Sequence, residues 1–359
     1  MAIRQFPDLS RPVHDIAGLP FDAVNLEQAV EKVIHAAEHR VPLFISTPNL
    51  NFLIAAQSDA AFHQSVRDSD LSLADGMPIV WLARILGVPI RERVAGSDLF
   101  EALCKQDRTT VKVYFFGGPN GAAQMAHDRV NAVAQELESR GLTPGVRCVG
   151  FESPGFGTLN DMSRPEIIKR INASEADFVV VALGARKGQE WIQRNRAQLK
   201  APVISHLGAV VNMTAGTIAR APQWLRNLGL EWLWRIKEEP QLWRRYGADG
   251  IAMIRLLFSY VLPQVWLKLV FRRRINQPQV VASPELFSRN GRRQLVLKGI
   301  WSGPSIDVLR STLNACVLQG ARVSVDVSQA EYIDSAIRGL LDIVSDISPQ
   351  PAAETEQST

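Results

Sequence analysis

The chain is poor in the features that mark several protein classes. Its 359 residues include only three cysteines, Cys104, Cys148 and Cys316, which are far apart. They form no CxxC and no Cys/His spacing suited to a metal, so the reading is reduced thiols in a cytoplasmic protein. The six histidines do not cluster, and His35 and His39, one helical turn apart on a charged segment, read as a solvated face. No stretch of about 20 uncharged apolar residues occurs, so no spanning helix is expected. The longest such run, Leu256 to Leu267, is short and contains Pro263. The first residues lack the apolar core of a signal peptide. No GxGxxG fingerprint is found, which leaves an oxidoreductase reading resting only on one glycine turn.

What is present is an ordinary globular composition, 46% hydrophobic and 21% charged, with a formal charge of +4. Asn25 with Gln28 reads as a capping box opening a helix whose apolar positions include Val30, Val33 and Ile34. Short apolar runs then alternate with helical patterns: 42–47, 71–74, 112–116, 145–151, 178–183 and 202–207 as strands, with helices between. Alternation of this kind predicts βαβ units, hence a mostly parallel Rossmann-like α/β sheet with helices on both faces. Ligands in such sheets bind beyond the carboxyl ends of the strands. Thr47, Asp75, Gly117, Gly184 and Gly208 fall at those ends.

After Ala215 the composition shifts. Between Arg220 and Arg274 there are eleven Lys/Arg and four Asp/Glu, a net of +7, together with five of the eight tryptophans. Basic residues mixed with Trp and Leu fit a helical appendage that meets an anionic membrane surface. The alternative is a helical cover for the sheet. Nothing accompanies the charge that reads as a nucleic-acid motif, so no nucleic-acid partner is expected. The chain divides into a core (1–215), a basic Trp-rich appendage (216–274), a linker (275–284), a small α/β segment (285–348) and a tail (349–359) read as disordered.

Several short motifs recur in a known order. They are Thr47-Pro-Asn49, Ala74-Asp75-Gly-Met-Pro78, Arg93-Val-Ala-Gly-Ser-Asp98-Leu and Phe116-Gly-Gly-Pro-Asn-Gly121. Leu183-Gly-Ala185 follows, with Lys187 and Trp191, then Arg220-Ala-Pro222, then Leu228-Gly-Leu-Glu-Trp232 with Arg235 and Glu239-Pro240. Together, over about Phe21 to Tyr246, they resemble the WecG/TagA/CpsF family of glycosyltransferases (family 26). The resemblance implies an inverting, metal-independent enzyme with no cofactor. It implies a UDP-sugar donor and an undecaprenyl-diphosphate-linked acceptor, in exopolysaccharide or cell-wall polymer synthesis. The expected location is peripheral, on the inner face of the cell membrane. Two departures stand out. The family's Pro-Lys-Gln-Glu is replaced by Arg186-Lys187-Gly188-Gln189, and a family Asp is replaced by Asn212.

Inverting transfer needs a base for the acceptor hydroxyl and cations for the departing diphosphate. Asp75 is the candidate base; on its own residues it reads equally well as a cap for the following helix. Thr47 and Asn49 are candidates for sugar or acceptor hydroxyls, or for turn chemistry around Pro48. Arg93, Lys187, Arg220, Arg235 and Arg245 are candidates for the diphosphates, Gly117 and Gly118 for phosphate or uridine, and Gln189 for the sugar. Asp68-Ser69-Asp70 matches the DxD of metal-dependent transferases, a pattern common by chance, and no metal is expected there. A competing reading is a regulatory protein that binds nucleotide with a degenerate site. The C-terminal segment, through Val323-Ser-Val-Asp-Val-Ser328 and Tyr332-Ile-Asp-Ser-Ala336, resembles part of a STAS domain. It is expected to dock a protein partner and to be dispensable for transfer.

Overall fold

The computed structural model describes residues 7–119, 121–155, 157–227, 229–238, 240–275, 283–289, 292–317 and 323–344. Most of the expected linker, residues 276–282, and the whole expected tail, 349–359, lie outside them. The strands in chain order are β1 (Val13–Ile16), β2 (Leu19–Asp22), β3 (Leu43–Ser46), β4 (Leu71–Ser72), β5 (Val111–Gly117) and β6 (Val146–Glu152). They continue with β7 (Phe178–Ala182), β8 (Val203–His206), β9 (Ser283–Arg289), β10 (Arg292–Trp301), β11 (Val323–Asp326) and β12 (Ala330–Ile333).

The central sheet has six strands in the order β4-β3-β8-β7-β5-β6, and every pairing is parallel. Its strands are apolar on both sides because helices cover both faces. Side chains alternate accordingly. Leu43, Val113, Phe115 and Val180 join one core with helix Leu26–His39 and helix Ala122–Ser139. Phe44, Tyr114, Phe116, Val179 and Val181 join the other, where Trp191 stacks on Phe116 at 4.3 Å between ring centroids. The Asn25–Gln28 capping box is formed as read, with bonds of 2.8 and 3.0 Å.

Three features differ from the sequence reading. Residues 13–22 form an antiparallel hairpin, β1-β2, where the sequence pattern predicts an extended leader ending in one short strand around 16–21. The stretch 50–68, whose pattern predicts one helix, is two, Leu50–Ala56 and Ala60–Arg67, because Asp59 caps the second one through Phe62 N. Residues 242–275 form continuous helix that passes through Pro263. Proline removes one backbone donor and crowds the preceding turn; a π turn over Leu257–Val261 absorbs that disturbance. This helix is long and apolar enough, by length and composition, to cross a membrane, although it carries charges at both ends and the sequence offered no such run. One side of it packs on the hairpin and on helix Met77–Leu86 through Met253, Leu256, Tyr260 and fully buried Val261.

The C-terminal segment is β-β-α-β-β-α. Strand β10 is central, antiparallel to β9 and parallel to β11 and β12. It does not stand apart from the rest. Leu9 and Val13 share a core with Leu295, Trp301, Leu313 and Leu340, and Arg67 donates to the Asp342 carbonyl at 2.7 Å.

Candidate active site

Three backbone bonds zip the loops at the carboxyl edge of β3 and β4. Leu73 N donates to Ser46 O (2.9 Å), Asp75 N to Pro48 O (3.1 Å) and Val94 N to Ala74 O (2.9 Å). Thr47, Asn49, Asp75 and Arg93 are therefore carried on stretches tied to one another. Gly76 follows with φ 119°, a conformation that side chains with a Cβ rarely adopt. Helix Met77–Leu86 then starts from Gly76 with Pro78 in its first turn, and no side chain caps it. The capping role open to Asp75 in the sequence is thus not taken.

The Asp75 carboxylate makes no hydrogen bond among the described residues. It retains some accessible surface although protein encloses it closely. Burial pushes its pKa up to about 7 from 3.8. Arg93 and Arg235 oppose that rise, while Glu231 and Asp98 add to it. A carboxylate poised near neutrality and free to accept a proton is suited to general-base work.

Beside it lies a cluster of arginines. Arg93 donates to Asp98 at 2.5 Å and to Glu231. Arg220 pairs with Asp98 and Glu101, and Arg226 with the same two at 3.2 and 3.6 Å. Burial lowers the Arg220 pKa, with Arg226 and Arg93 adding repulsion. Asp98, Glu101 and Glu231 balance the charge of Arg93, Arg220 and Arg226 and hold the three guanidinium groups together.

The remaining candidates divide. Thr47 is buried, and Asn49 caps helix Leu50–Ala56 through Phe52 N at 3.2 Å. Gly117 and Gly118, at φ 98° and 88°, turn the chain at the end of β5. A Cβ on Gly117 would lie 2.7 Å from the Ala182 carbonyl oxygen. Lys187 donates to Gly157 O at 2.6 Å, tying its helix to the loop after β6. Gln189 has no exposed surface and donates to Ser46 Oγ at 3.0 Å, so it offers nothing to a ligand in this conformation. Arg245 is exposed, 5.1 Å from the Tyr246 ring centroid, and is not among the principal charges acting on Asp75. Asp68-Ser69-Asp70 lies at the opposite end of β4 from Asp75, where Asp70 accepts from Phe44 N at 2.8 Å and Asp68 caps a helix. Nothing in the sequence marks Asp98, Glu101, Arg226 or Glu231 as site residues, although Asp98 and Glu231 stand inside the family motifs.

A parallel α/β sheet with one unpaired carboxylate beside crowded arginines has the layout of an enzyme that activates a hydroxyl against a polyanionic leaving group. The chain belongs to the glycosyl transferase WecG/TagA/CpsF family, whose model matches residues 14–265, and it is a glycosyltransferase. Similar proteins include the N-acetylglucosaminyldiphosphoundecaprenol N-acetyl-beta-D-mannosaminyltransferase of Bacillus spizizenii (strain ATCC 23059 / NRRL B-14472 / W23). It is 29% identical over 203 residues, 56% of this chain and 74% of the relative. Proteins of the same name from Bacillus subtilis (strain 168) and Staphylococcus aureus (strain MW2) are 26% and 28% identical. They match over 234 and 236 residues, each 65% of this chain and 85% and 86% of the relatives. The family match ends before the C-terminal β-β-α-β-β-α segment.

Proposed function

We propose that the chain moves a hexose or N-acetylhexosamine, with inversion, from a UDP-sugar to a polyprenyl-diphosphate-linked sugar, without a metal, in exopolysaccharide or cell-wall polymer synthesis. The observation that carries this reading is Asp75, unpaired and held near neutral pKa at the carboxyl edge of the sheet. Its carboxylate takes the proton of the acceptor hydroxyl. That oxygen attacks the anomeric carbon as the bond to the diphosphate breaks. Arg93, Arg220 and Arg235 neutralise the charge that collects on the departing UDP, since guanidinium matches phosphate bidentately. In this reading Thr47 and Asn49, on the loop whose Pro48 carbonyl accepts from Asp75 N, contribute to the acceptor side of the base. The names of the relatives make UDP-N-acetylmannosamine the first donor to try and an N-acetylglucosaminyl-diphospho-lipid the first acceptor.

The acceptor's lipid calls for a membrane, and the long helix has a face for one. Ile251, Ile254, Phe258, Leu262, Trp266 and Leu269 are 44–66% exposed along it. Arg244, Arg255, Arg272 and Arg273 flank them, exposed as well. The helix side opposite this stripe is committed to protein, which favours a helix lying on the inner leaflet over one that crosses it. For the C-terminal segment the proposal remains a STAS-like module that docks a partner.

The test is release of UDP by the full chain given UDP-sugars and a polyprenyl-diphosphate sugar. Turnover that Asp75→Asn abolishes while UDP still binds supports the reading. Nucleotide binding with no transfer to any acceptor of this class contradicts it.

A further inference from the structure

Among the carboxylates around the arginines, Glu231 differs from the others in where it comes from. Asp98 and Glu101 sit on helix Gly96–Lys105, packed against the sheet a few residues beyond Arg93. Glu231 opens helix Glu231–Glu238, on the chain beyond Ala215, and reaches back to Arg93. Two close approaches make this reach work. Gly229, at φ 73°, abuts the Met77 side chain so closely that a Cβ would clash with it, and Met77 is two residues from Asp75. Trp234 Nε1 donates to Ala219 O at 3.0 Å, bracing the same helix against the segment that brings in Arg220. The Arg93 and Glu231 side chains are only 13% and 15% exposed, so solvent screens their pairing little.

We propose that Glu231 is a positioning residue for transfer: through Arg93 it fastens helix Glu231–Glu238, with its Arg235, over Asp75. The groups that face Asp75 are then Arg93 and Asp98 from the core and Glu231 and Arg235 from the docked helix. The helix brings one charge of each sign. Glu231 strengthens the hold of Asp75 on its proton and Arg235 weakens it. Without the Glu231 charge, Arg93 keeps Asp98 as a partner but loses its tie to the helix, and Asp75 gives up its proton at lower pH. The inference rests on Asp75 being the base.

The experiment compares wild type, Glu231→Gln, Glu231→Asp and Asp75→Asn as full chains. It measures UDP release against pH and hydrogen exchange of the amides in 231–238. Glu231→Gln is expected to lower kcat on the order of 10–100-fold, the cost of misplacing a reacting group by about an ångström. It should also move the acid limb of kcat/KM to lower pH and speed exchange in 231–238 while the sheet stays protected. Glu231→Asp keeps the charge and should restore the wild-type acid limb, whatever the yield of the Gln variant. An unchanged limb and unchanged exchange in Glu231→Gln overturn the inference, as does a Glu231→Asp limb displaced as far as that of a neutral residue. Asp75→Asn with wild-type turnover would instead sink the reading of Asp75 itself, so the two failures are told apart.

Discussion

Asp75 illustrates what a residue's neighbours add to its identity. In the sequence it was a base or a cap; Gly76, at φ 119° and heading an uncapped helix, leaves it free of the second task. Its raised pKa also sets a stability cost with a definite sign. Between 3.8 and about 7 the folded state binds more protons than the unfolded one, so folding stability falls as pH rises through that window. The whole penalty is present above about pH 7 and absent below about pH 4. At about 1.4 kcal/mol per pH unit it is bounded near 4 kcal/mol. Asp75→Asn is therefore expected to stop transfer while raising the Tm at pH 8 and leaving it unchanged at pH 4, as read by thermal unfolding at both pH values. An equal shift at both would mean that the gain has nothing to do with charge. Asp98 and Glu231 were not legible as site residues because their roles are to hold arginines that arrive from distant parts of the chain. Gln189 misled for the opposite reason: a polar residue near a family motif reads as a ligand contact, and only the fold reveals it turned inward onto Ser46.

Elements whose signal is local were legible, and those made by pairing were not. The runs at 112–116 and 178–183 became β5 and β7 within a residue, because strands buried on both faces advertise themselves as unbroken apolar stretches. Strand β9 starts inside what read as a linker, since Pro284 and polar neighbours argue against a strand and only its antiparallel match to β10 makes it one. The long helix was hidden by Pro263, because the sequence gives no sign of the π turn that accommodates it. Its exposed stripe carries the membrane proposal. Phe258→Glu with Trp266→Glu is expected to weaken binding to anionic vesicles by an order of magnitude or more, from lost apolar burial and added repulsion. High salt should weaken the wild type in the same assay. Vesicle binding unchanged by either treatment would remove this helix as the contact.

At the scale of the whole molecule, the C-terminal segment is less of an appendage than its sequence position implied. Helix Ser335–Val344 lies against the β1-β2 hairpin, with Gly339 tight on the His14 backbone. Arg310 donates to Arg11 O at 3.1 Å, and Tyr260 of the long helix donates to Asp15 at 2.6 Å. Asp15 and Asp342 act on each other across the seam, and burial raises the pKa of both. Dispensable for transfer, as the sequence predicts of residues 285–359, is therefore not the same as dispensable for stability. Deleting them bares Leu9 and Val13 and leaves the hairpin that seats the long helix without its cover. The truncated chain should unfold several degrees lower than the full chain and bind vesicles less well; an unchanged Tm would show the seam to be incidental. The sequence could name the two halves but not this seam: Val325, Ile333 and Ser335 lie in the C-terminal motifs, yet nothing in those motifs says that they meet Leu9, Val13 and His14.

The central claim is that Asp75 must be ionised for transfer, and the pH dependence of kcat/KM for the lipid-linked acceptor tests it most directly. UDP release by the wild type should rise along an acid limb with a midpoint near pH 7, following the loss of one proton. A flat profile between pH 5 and 8 in this assay, or a limb that persists undiminished in Asp75→Asn, would contradict the account.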